Sequence, residues 1–123
     1  MTNEEKRLLF KVLCGMLPYG VMVENVLNHE VFDLSKYLHC LPAALENFKP
    51  YLRPMSSMTE EEKREVRELG VSDDGAFHND VYDVGTSMEE AFTAISWFLE
   101  RHFDINYLIQ RGLALEAPEG MYK

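Results

Sequence analysis

Apolar residues recur at helical spacing near the start of the chain. Five of them fit the buried face of one helix: Leu9, Val12, Leu13, Met16 and Leu17. Thr2 followed three positions later by Glu5 is typical of a capping box, and Pro18 with Gly20 ends the pattern. We therefore predict a helix from about Asn3 to Leu17.

The spacing changes to that of β-strands after Gly20. A run rich in β-branched residues covers positions 21–26, a polar break covers 28–30, and a second apolar run covers 31–34. This pattern predicts a β-hairpin. Residues 38–47 fit either a short helix or a loop, and both interpretations stay open.

Two prolines shape the segment that follows, residues 49–55, which we name the strap. Pro50 and Pro54 hold it extended, because each proline fixes its own φ and disfavours helix at the residue before it. We expect Tyr51 and Leu52 to attach the strap to the core.

A second capping box, formed by Thr59 and Glu62, starts a predicted helix from about Glu60 to Leu69. Glutamates in its first turn complement the helix dipole. Only Val66 and Leu69 are apolar beyond that turn. We therefore expect this helix to lie on the surface with most of its girth in water.

The most regular helical pattern begins after Ser87, which forms a third capping box with Glu90. Seven residues fall on one face of this third helix: Met88, Ala91, Phe92, Ile95, Leu99, His102 and Phe103. Trp97 lies opposite Met88, among polar residues.

The remaining segments predict smaller elements. Asp104 is a suitable cap for a short fourth helix that runs to Arg111 and ends at Gly112. Residues 113–115 are expected to add an edge strand, and a short strand is predicted at 81–84.

These elements predict one α+β domain covering residues 1–123. The chain has 123 residues, of which 46% are hydrophobic, enough for a single core. We expect a small antiparallel sheet packed by the first and third helices, with the second helix outside.

The charge of the chain limits its partners. It has 12 Lys and Arg against 21 Asp and Glu, a formal net charge of -9, which repels phosphate backbones and disfavours direct nucleic-acid binding. An acidic protein can instead imitate nucleic acid and occupy the groove of a basic protein. Two cysteines, an acidic N-terminus and the lack of a membrane-spanning apolar run predict a soluble protein in a reducing cytoplasm.

Trp97 and Arg101 are the first candidate site. One interpretation is that the C-terminal segment or the hairpin covers Trp97, since large aromatic side chains usually find cover within their own chain. The other is that Trp97 and Arg101 anchor an interface with a protein partner or a second copy of the chain. We assign Asp80 and Asp83 of the neighbouring acidic loop to the same predicted interface.

The acidic loop also contains the ligand types of a metal site: Asp73, Asp74, His78, Asp80 and Asp83. Their spacing matches no metal motif, so a solvated loop is the simpler interpretation, and a metal-dependent hydrolase using His78, Asp80 and Asp83 is the alternative. No pattern in the chain predicts a cofactor.

Other catalytic groups are sparse. Cys14 lies within the first helix, where a small buried thiol is expected, and Cys40 only adjoins His39 in sequence. Ser56 and Ser57 lie outside any nucleophile motif. Arg101, His102 and Asp104 are too close in sequence to face one another, so we interpret His102 as a core or boundary residue. An enzymatic activity is therefore not favoured.

Two segments, KPYLRPMSSMTEEE from Lys49 and GLALEAPEGMYK from Gly112, carry a family resemblance. The chain resembles small uncharacterised proteins encoded by phages and prophages of gut Bacteroidetes. The resemblance implies an accessory protein of a mobile element and carries no assigned activity. We expect a non-enzymatic cytoplasmic protein that works by binding another macromolecule, with the acidic mimic and the metal-dependent hydrolase as alternatives.

Overall fold

The computed structural model describes residues 2–37, 47–69 and 88–122. The helices in these ranges are α1 (Asn3–Met16), α2 (Glu60–Glu68) and α3 (Met88–Glu100). The strands are β1 (Met22–Asn25), β2 (Val31–Asp33), β3 (Phe48–Leu52) and β4 (Leu115–Glu116). Short 3-10 helices cover Leu17–Tyr19, Leu34–Lys36 and Met55–Ser57. The bounds predicted for the first two helices are confirmed to within one residue.

Capping boxes account for the starts of α1 and α2. At α1 the Thr2 hydroxyl accepts a hydrogen bond from the Glu5 amide at 3.1 Å, and the Glu5 carboxylate accepts one from the Thr2 amide at 2.9 Å. Thr59 and Glu62 form the same pair of bonds at α2. Each box satisfies backbone donors that a helix N-terminus otherwise leaves unpaired.

The four strands form one sheet in the order β2-β1-β3-β4. β1 is antiparallel to both β2 and β3, which confirms the predicted hairpin. β4 runs parallel to β3, so the sheet is mixed rather than wholly antiparallel. The long connection through α2 and α3 allows this, because only a crossover brings the chain back in the same direction.

Pro50 lies inside β3, an inner strand, although proline cannot donate a ladder hydrogen bond. On the β1 side Pro50 is opposite Val23, and on the other side β4 pairs with β3 only from Tyr51 onward. The parallel ladder therefore begins just after the position that lacks an N–H group.

Within the described ranges, the core consists of two groups of buried residues. The larger lies between α1, the sheet and the C-terminal segment: Leu9, Val12, Leu13, Met16, Val21, Val23, Leu34, Phe48, Leu52, Leu108, Leu113 and Ala114. The smaller joins α2, α3 and their flanking segments: Met58, Val66, Ala94, Trp97, Phe98 and Phe103. Val66 is the buried residue of α2, so α2 packs on this second group with the rest of its surface towards water.

The predicted face of α3 is only partly the buried one: His102 and Phe103 are buried and Leu99 packs against the larger core group, but the rest of the pattern differs. Ala94, Trp97 and Phe98 are buried, whereas Phe92 is 73% exposed and Ile95 is 45% exposed. Helix α3 has apolar residues on most of its circumference, so spacing alone did not identify the side that α2 would cover.

The predicted fourth helix is also wrong. Residues 105–111 form turns, and the buried carboxylate of Asp104 accepts hydrogen bonds from the amides of Leu108 and Ile109 at 2.8 and 2.9 Å. Asp104 thus stabilises a compact turn, as its tendency to bond nearby amides allows. The predicted edge strand is present as β4, one or two residues later than expected.

The α+β class is confirmed by three helices and a four-stranded sheet in the described ranges. The open interpretations of residues 38–46 and the strand predicted at 81–84 lie outside those ranges. Among the described residues, no helix is both long enough and apolar enough to cross a membrane.

Candidate functional site

Trp97, the only tryptophan, is covered by its own chain and is 9% exposed. Its ring stacks on Phe103, with ring centroids 5.8 Å apart, and meets Phe98 edge-on at 5.1 Å. Its Nε1 donates a hydrogen bond to Glu65 of α2 at 3.2 Å. The cover comes mainly from α2 and from the residues just after α3, rather than from the hairpin.

Arg101 lies over the Trp97 ring and completes this arrangement. The guanidinium carbon is 4.3 Å from the Trp97 ring centroid, a distance suited to cation–π attraction. The guanidinium also contacts the Glu65 carboxylate at 3.3 Å and donates to the Trp97 carbonyl at 3.3 Å. These contacts tie α3 to α2, and an interface role for Trp97 and Arg101 stays a prediction.

The exposed apolar residues of α3 lie beside this cluster. Phe92 and Ile95 are three positions apart, so they are neighbours on one side of the helix. A shallow cleft of about 360 Å³ adjoins them, lined by Tyr19, Leu69, Phe92, Thr93, Ser96, Trp97, Glu100 and Arg101. We name Phe92, Ile95 and this cleft the α3 surface. The sequence pattern placed Phe92 and Ile95 on the main apolar face of the helix and gave no sign that they would be exposed.

A second region is built by the strap and by residues 112–122, which we name the tail. Arg53 makes two hydrogen bonds to the Glu62 carboxylate at 2.8 and 2.7 Å and lies 4.2 Å from the Phe103 ring centroid. The backbone N–H of Arg53 donates to the His102 carbonyl at 2.7 Å, and the Arg53 carbonyl accepts from the Asp104 amide at 2.8 Å. Hydrogen bonding from Arg53 is the main reason that the pKa of Glu62 falls to about 2.

The tail is held on the sheet by backbone and side-chain bonds. The Ala117 amide donates to the Leu52 carbonyl at 2.8 Å. The Tyr122 hydroxyl accepts from the Met22 amide at 2.8 Å and donates to the Tyr51 carbonyl at 2.7 Å. Burial raises the pKa of this hydroxyl above its usual range, so it keeps the proton that it donates.

His102 ends α3 in an unusual backbone conformation. The amides of His102 and Phe103 donate to the carbonyls of Leu99 and Phe98 at 3.1 and 3.0 Å, the two bonds of a Schellman motif. His102 has φ of 64°, the left-handed position that glycine usually occupies. A side chain there costs about 1 kcal/mol, and the contacts of the imidazole offset that cost.

The imidazole of His102 is buried and contacts the tail. His102 is 6% exposed, and its ring stacks on Tyr122 with centroids 3.6 Å apart and 6° between the planes. Nε2 hydrogen-bonds to the Gly20 carbonyl. Nδ1 is buried and has no hydrogen-bond partner among the described residues. The expectation of a core or boundary histidine is confirmed, whereas its contact with Tyr122 lay beyond any sequence pattern.

Between the strap and the tail lies a cleft of about 700 Å³, which we name the strap–tail cleft. It is lined by Arg53, Pro54, Ser57, Thr59, Glu61, Glu62, Glu116, Ala117, Pro118, Glu119, Gly120 and Tyr122. Four of these residues are glutamates. Arg53 is paired with Glu62, so its charge is already balanced. The charges of Glu61, Glu116 and Glu119 therefore make the rim of the cleft acidic.

The structure describes only some of the other candidate residues. Asp80, Asp83 and His78 lie outside the described residues, as do Asp73, Asp74 and Cys40. The described part of the chain has no group of three His, Cys, Asp or Glu side chains able to hold a metal ion. Cys14 is exposed, which corrects the expectation of a buried thiol, because it lies on the outer side of α1. The Ser57 hydroxyl donates to the Pro54 carbonyl at 2.7 Å within a turn.

No protein-family model, curated protein or solved structure matches this chain.

Proposed function

We propose that this protein binds another protein through the α3 surface and acts as a non-enzymatic accessory protein of phage or prophage origin in the cytoplasm. The origin rests on the sequence resemblance. The observation that carries the binding proposal is the pair Phe92 and Ile95, which are 73% and 45% exposed on one side of α3. An aromatic and an aliphatic side chain left in water together mark an interaction site more often than single exposed apolar residues do.

The surroundings of this pair support a protein as the occupant. Glu100 and Arg101 line the adjoining cleft, so an apolar centre borders a charged rim, the usual arrangement of a protein interface. Trp97 and Arg101 are held in place by Glu65, which reduces the entropy cost of binding at the edge of the surface. The net charge of -9 disfavours nucleic acid as the occupant.

Paired serine substitutions test this proposal. We expect the tagged protein to retain a stoichiometric partner from a lysate of its natural host at high salt, because apolar contacts are not screened by ions. The double variant F92S/I95S should lose that partner by at least about tenfold, as expected for interface anchors. The purified partner and the wild-type protein should then reproduce the loss by titration.

The control is L27S, since Leu27 is 75% exposed and lies in the turn between β1 and β2 rather than on α3. It should bind as the wild type does. The proposal would be contradicted if F92S/I95S retained the partner. It would also be contradicted if L27S lost the partner to the same extent as F92S/I95S. Sedimentation of the purified protein identifies self-association, which F92S/I95S should abolish if the partner is a second copy.

A second candidate function, the acidic mimic, is favoured by the strap–tail cleft. Glu61, Glu116 and Glu119 place three carboxylates around one cleft in a chain of net charge -9. A basic protein bound there should dissociate as salt rises, and it should be unaffected by F92S/I95S. The same capture experiment therefore separates the two functions.

A further inference from the structure

We propose that His102 and Tyr122 form a pH-sensitive latch, which holds the tail on the sheet while the imidazole is neutral and releases it when the imidazole is protonated. The two rings are stacked with their centroids 3.6 Å apart. His102 is anchored to the end of α3, and Tyr122 lies near the end of the described chain. The stack therefore joins the end of α3 to the tail. This inference does not depend on the partner proposed above.

The hydrogen bonds of the imidazole define its neutral form. The Gly20 carbonyl can only accept, so Nε2 of His102 carries the proton and donates to it. Nδ1 then carries the lone pair, and it is buried without a partner among the described residues. Protonation would add an N–H group at Nδ1, which has no partner among the described residues, and would place a charge in a site that is 6% exposed.

Charged groups from several elements face this imidazole. Burial is the largest cause and lowers the pKa of His102, whereas the hydrogen bond to the Gly20 carbonyl raises it. Arg53, just after β3, lowers the pKa, and Asp33 at the end of β2 and the backbone of Tyr19 raise it. The net direction is downward. The Asp104 carboxylate is bonded to amides of its own turn. Attraction between a charged imidazole and the Tyr122 ring also opposes release.

The sign of the pH effect follows from this direction. The pKa of His102 is lowered while the tail is bound and returns towards the ordinary value of about 6.5 when the tail leaves and water reaches the ring. The released form therefore takes up the proton more readily. The bound tail is fully stable above roughly pH 6.5 and loses stability as the pH falls below it.

Release of the tail would change an exposed part of the molecule. Residues 116–120 and Tyr122 line one side of the strap–tail cleft. The Tyr122 hydroxyl also makes hydrogen bonds to the Met22 amide in β1 and to the Tyr51 carbonyl in β3. Acidification would thus move the tail away from the strap–tail cleft. The Met22 amide and the Tyr51 carbonyl would then be exposed to water.

Hydrogen exchange read by mass spectrometry tests the latch. Protection factors, which remove the pH dependence of intrinsic exchange, are measured from pH 7.5 to 5 for peptides covering residues 113–122 and for α1. In the wild-type protein we expect tail opening to rise as the pH falls below roughly 6.5, by at most about tenfold per pH unit, and to level off below the pKa of the bound imidazole, with α1 unchanged. In H102Q the glutamine amide can donate to the Gly20 carbonyl but cannot titrate, so tail protection should become independent of pH.

The matched control is H29Q. His29 also has a positive φ, 61°, and it is exposed, so the backbone effect of the substitution is comparable while the buried imidazole remains. H29Q should keep the wild-type pH response. A wild-type tail that stays protected at pH 5 would overturn the latch. The latch would also be overturned if tail protection in H102Q fell with pH as much as it does in the wild type.

A direct titration decides the matter if H102Q does not fold. The ring signals of His102 and Tyr122 in the wild-type protein are followed by NMR over the same pH range. The imidazole should titrate below about 6.5, and the Tyr122 signals should change at the same midpoint. A midpoint at or above that value, or Tyr122 signals that ignore the titration, would overturn the proposal.

Discussion

Two ion pairs at the start of α2 show how burial determines what a charged side chain contributes. Arg53 and Glu62 are 20% and 15% exposed and form a bidentate pair with a nearest distance of 2.7 Å. Lys63 and Glu60 are 3.4 Å apart, and Glu60 is 85% exposed. Water and salt screen the second pair, so only the first is expected to stabilise the fold appreciably.

Replacement of Glu62 by glutamine removes the charge that Arg53 binds. We expect E62Q to lower the free energy of unfolding by roughly 2–3 kcal/mol at pH 7, because it removes the charged partner of Arg53, whose hydrogen bonds are the main cause of the low pKa of Glu62. The wild-type carboxyl has a pKa of about 2 when folded against the usual 4.5, so its contribution is present above pH 4.5 and is lost as the pH falls to about 2. Urea unfolding from pH 7 to pH 2 measures the difference.

E60Q is the control for that experiment, since it makes the same substitution in the same helical turn. It should change the unfolding free energy by less than about 0.5 kcal/mol at any pH in this range. A pH-independent difference between E62Q and the wild type would contradict the assignment of the stability to the charge on Glu62.

At the scale of elements, α3 packs one part of its apolar surface against the core and leaves another part, Phe92 and Ile95, exposed. Ala94, Trp97 and Phe98 pack on α2 and Phe103, and Leu99 packs against the larger core group close to Gly15 of α1. A side chain at Gly15 would have its Cβ 2.9 Å from Leu99. The absence of a side chain there lets α1 and α3 approach each other, and this contact leaves Phe92 and Ile95 outside.

Two phenylalanines of α3 provide a direct test of this orientation. F98A should lower the free energy of unfolding by about 3–5 kcal/mol, because it removes a buried ring and leaves a cavity. F92A should change it by less than about 0.5 kcal/mol, because Phe92 is 73% exposed. Chemical denaturation of the two variants measures both effects. Equal losses would mean that Phe92 is covered, which would also remove the basis of the α3 surface.

At the scale of the whole molecule, contacts of the tail connect distant parts of the chain. The hydrogen bond between Tyr122 and the Met22 amide joins residues 100 positions apart. β4 adds a parallel strand to β3, and the Ala117 amide continues the pairing to Leu52. The sheet is therefore completed only when the tail is in place.

Y122F tests this closure by removing one oxygen atom. It should lower the free energy of unfolding by about 1–3 kcal/mol, because the Met22 amide and the Tyr51 carbonyl lose a buried partner. Y107F is the control, since Tyr107 is 52% exposed and should tolerate the same change within about 0.5 kcal/mol. Thermal and urea unfolding compare the two, and equal effects would contradict a bridging role for the Tyr122 hydroxyl.

The sequence by itself determined features that depend on neighbouring residues. The capping boxes at Thr2 and Thr59 set the starts of α1 and α2, since each involves residues three positions apart. The change of spacing after Gly20 identified the hairpin, and the apolar spacing of α1 identified its buried face. Together they were enough for the α+β class, because local periodicity reports which kind of element forms.

Only the tertiary structure decided which of several apolar or polar groups would meet. It turned Trp97 towards Glu65 and Phe103, left Phe92 in water, made β4 parallel, and brought His102 against Tyr122. The partners in these contacts are distant in sequence or lie on a helix with more than one apolar side. Spacing along a single element carries no information about the element that will cover it, so packing between elements determined both the α3 surface and the latch.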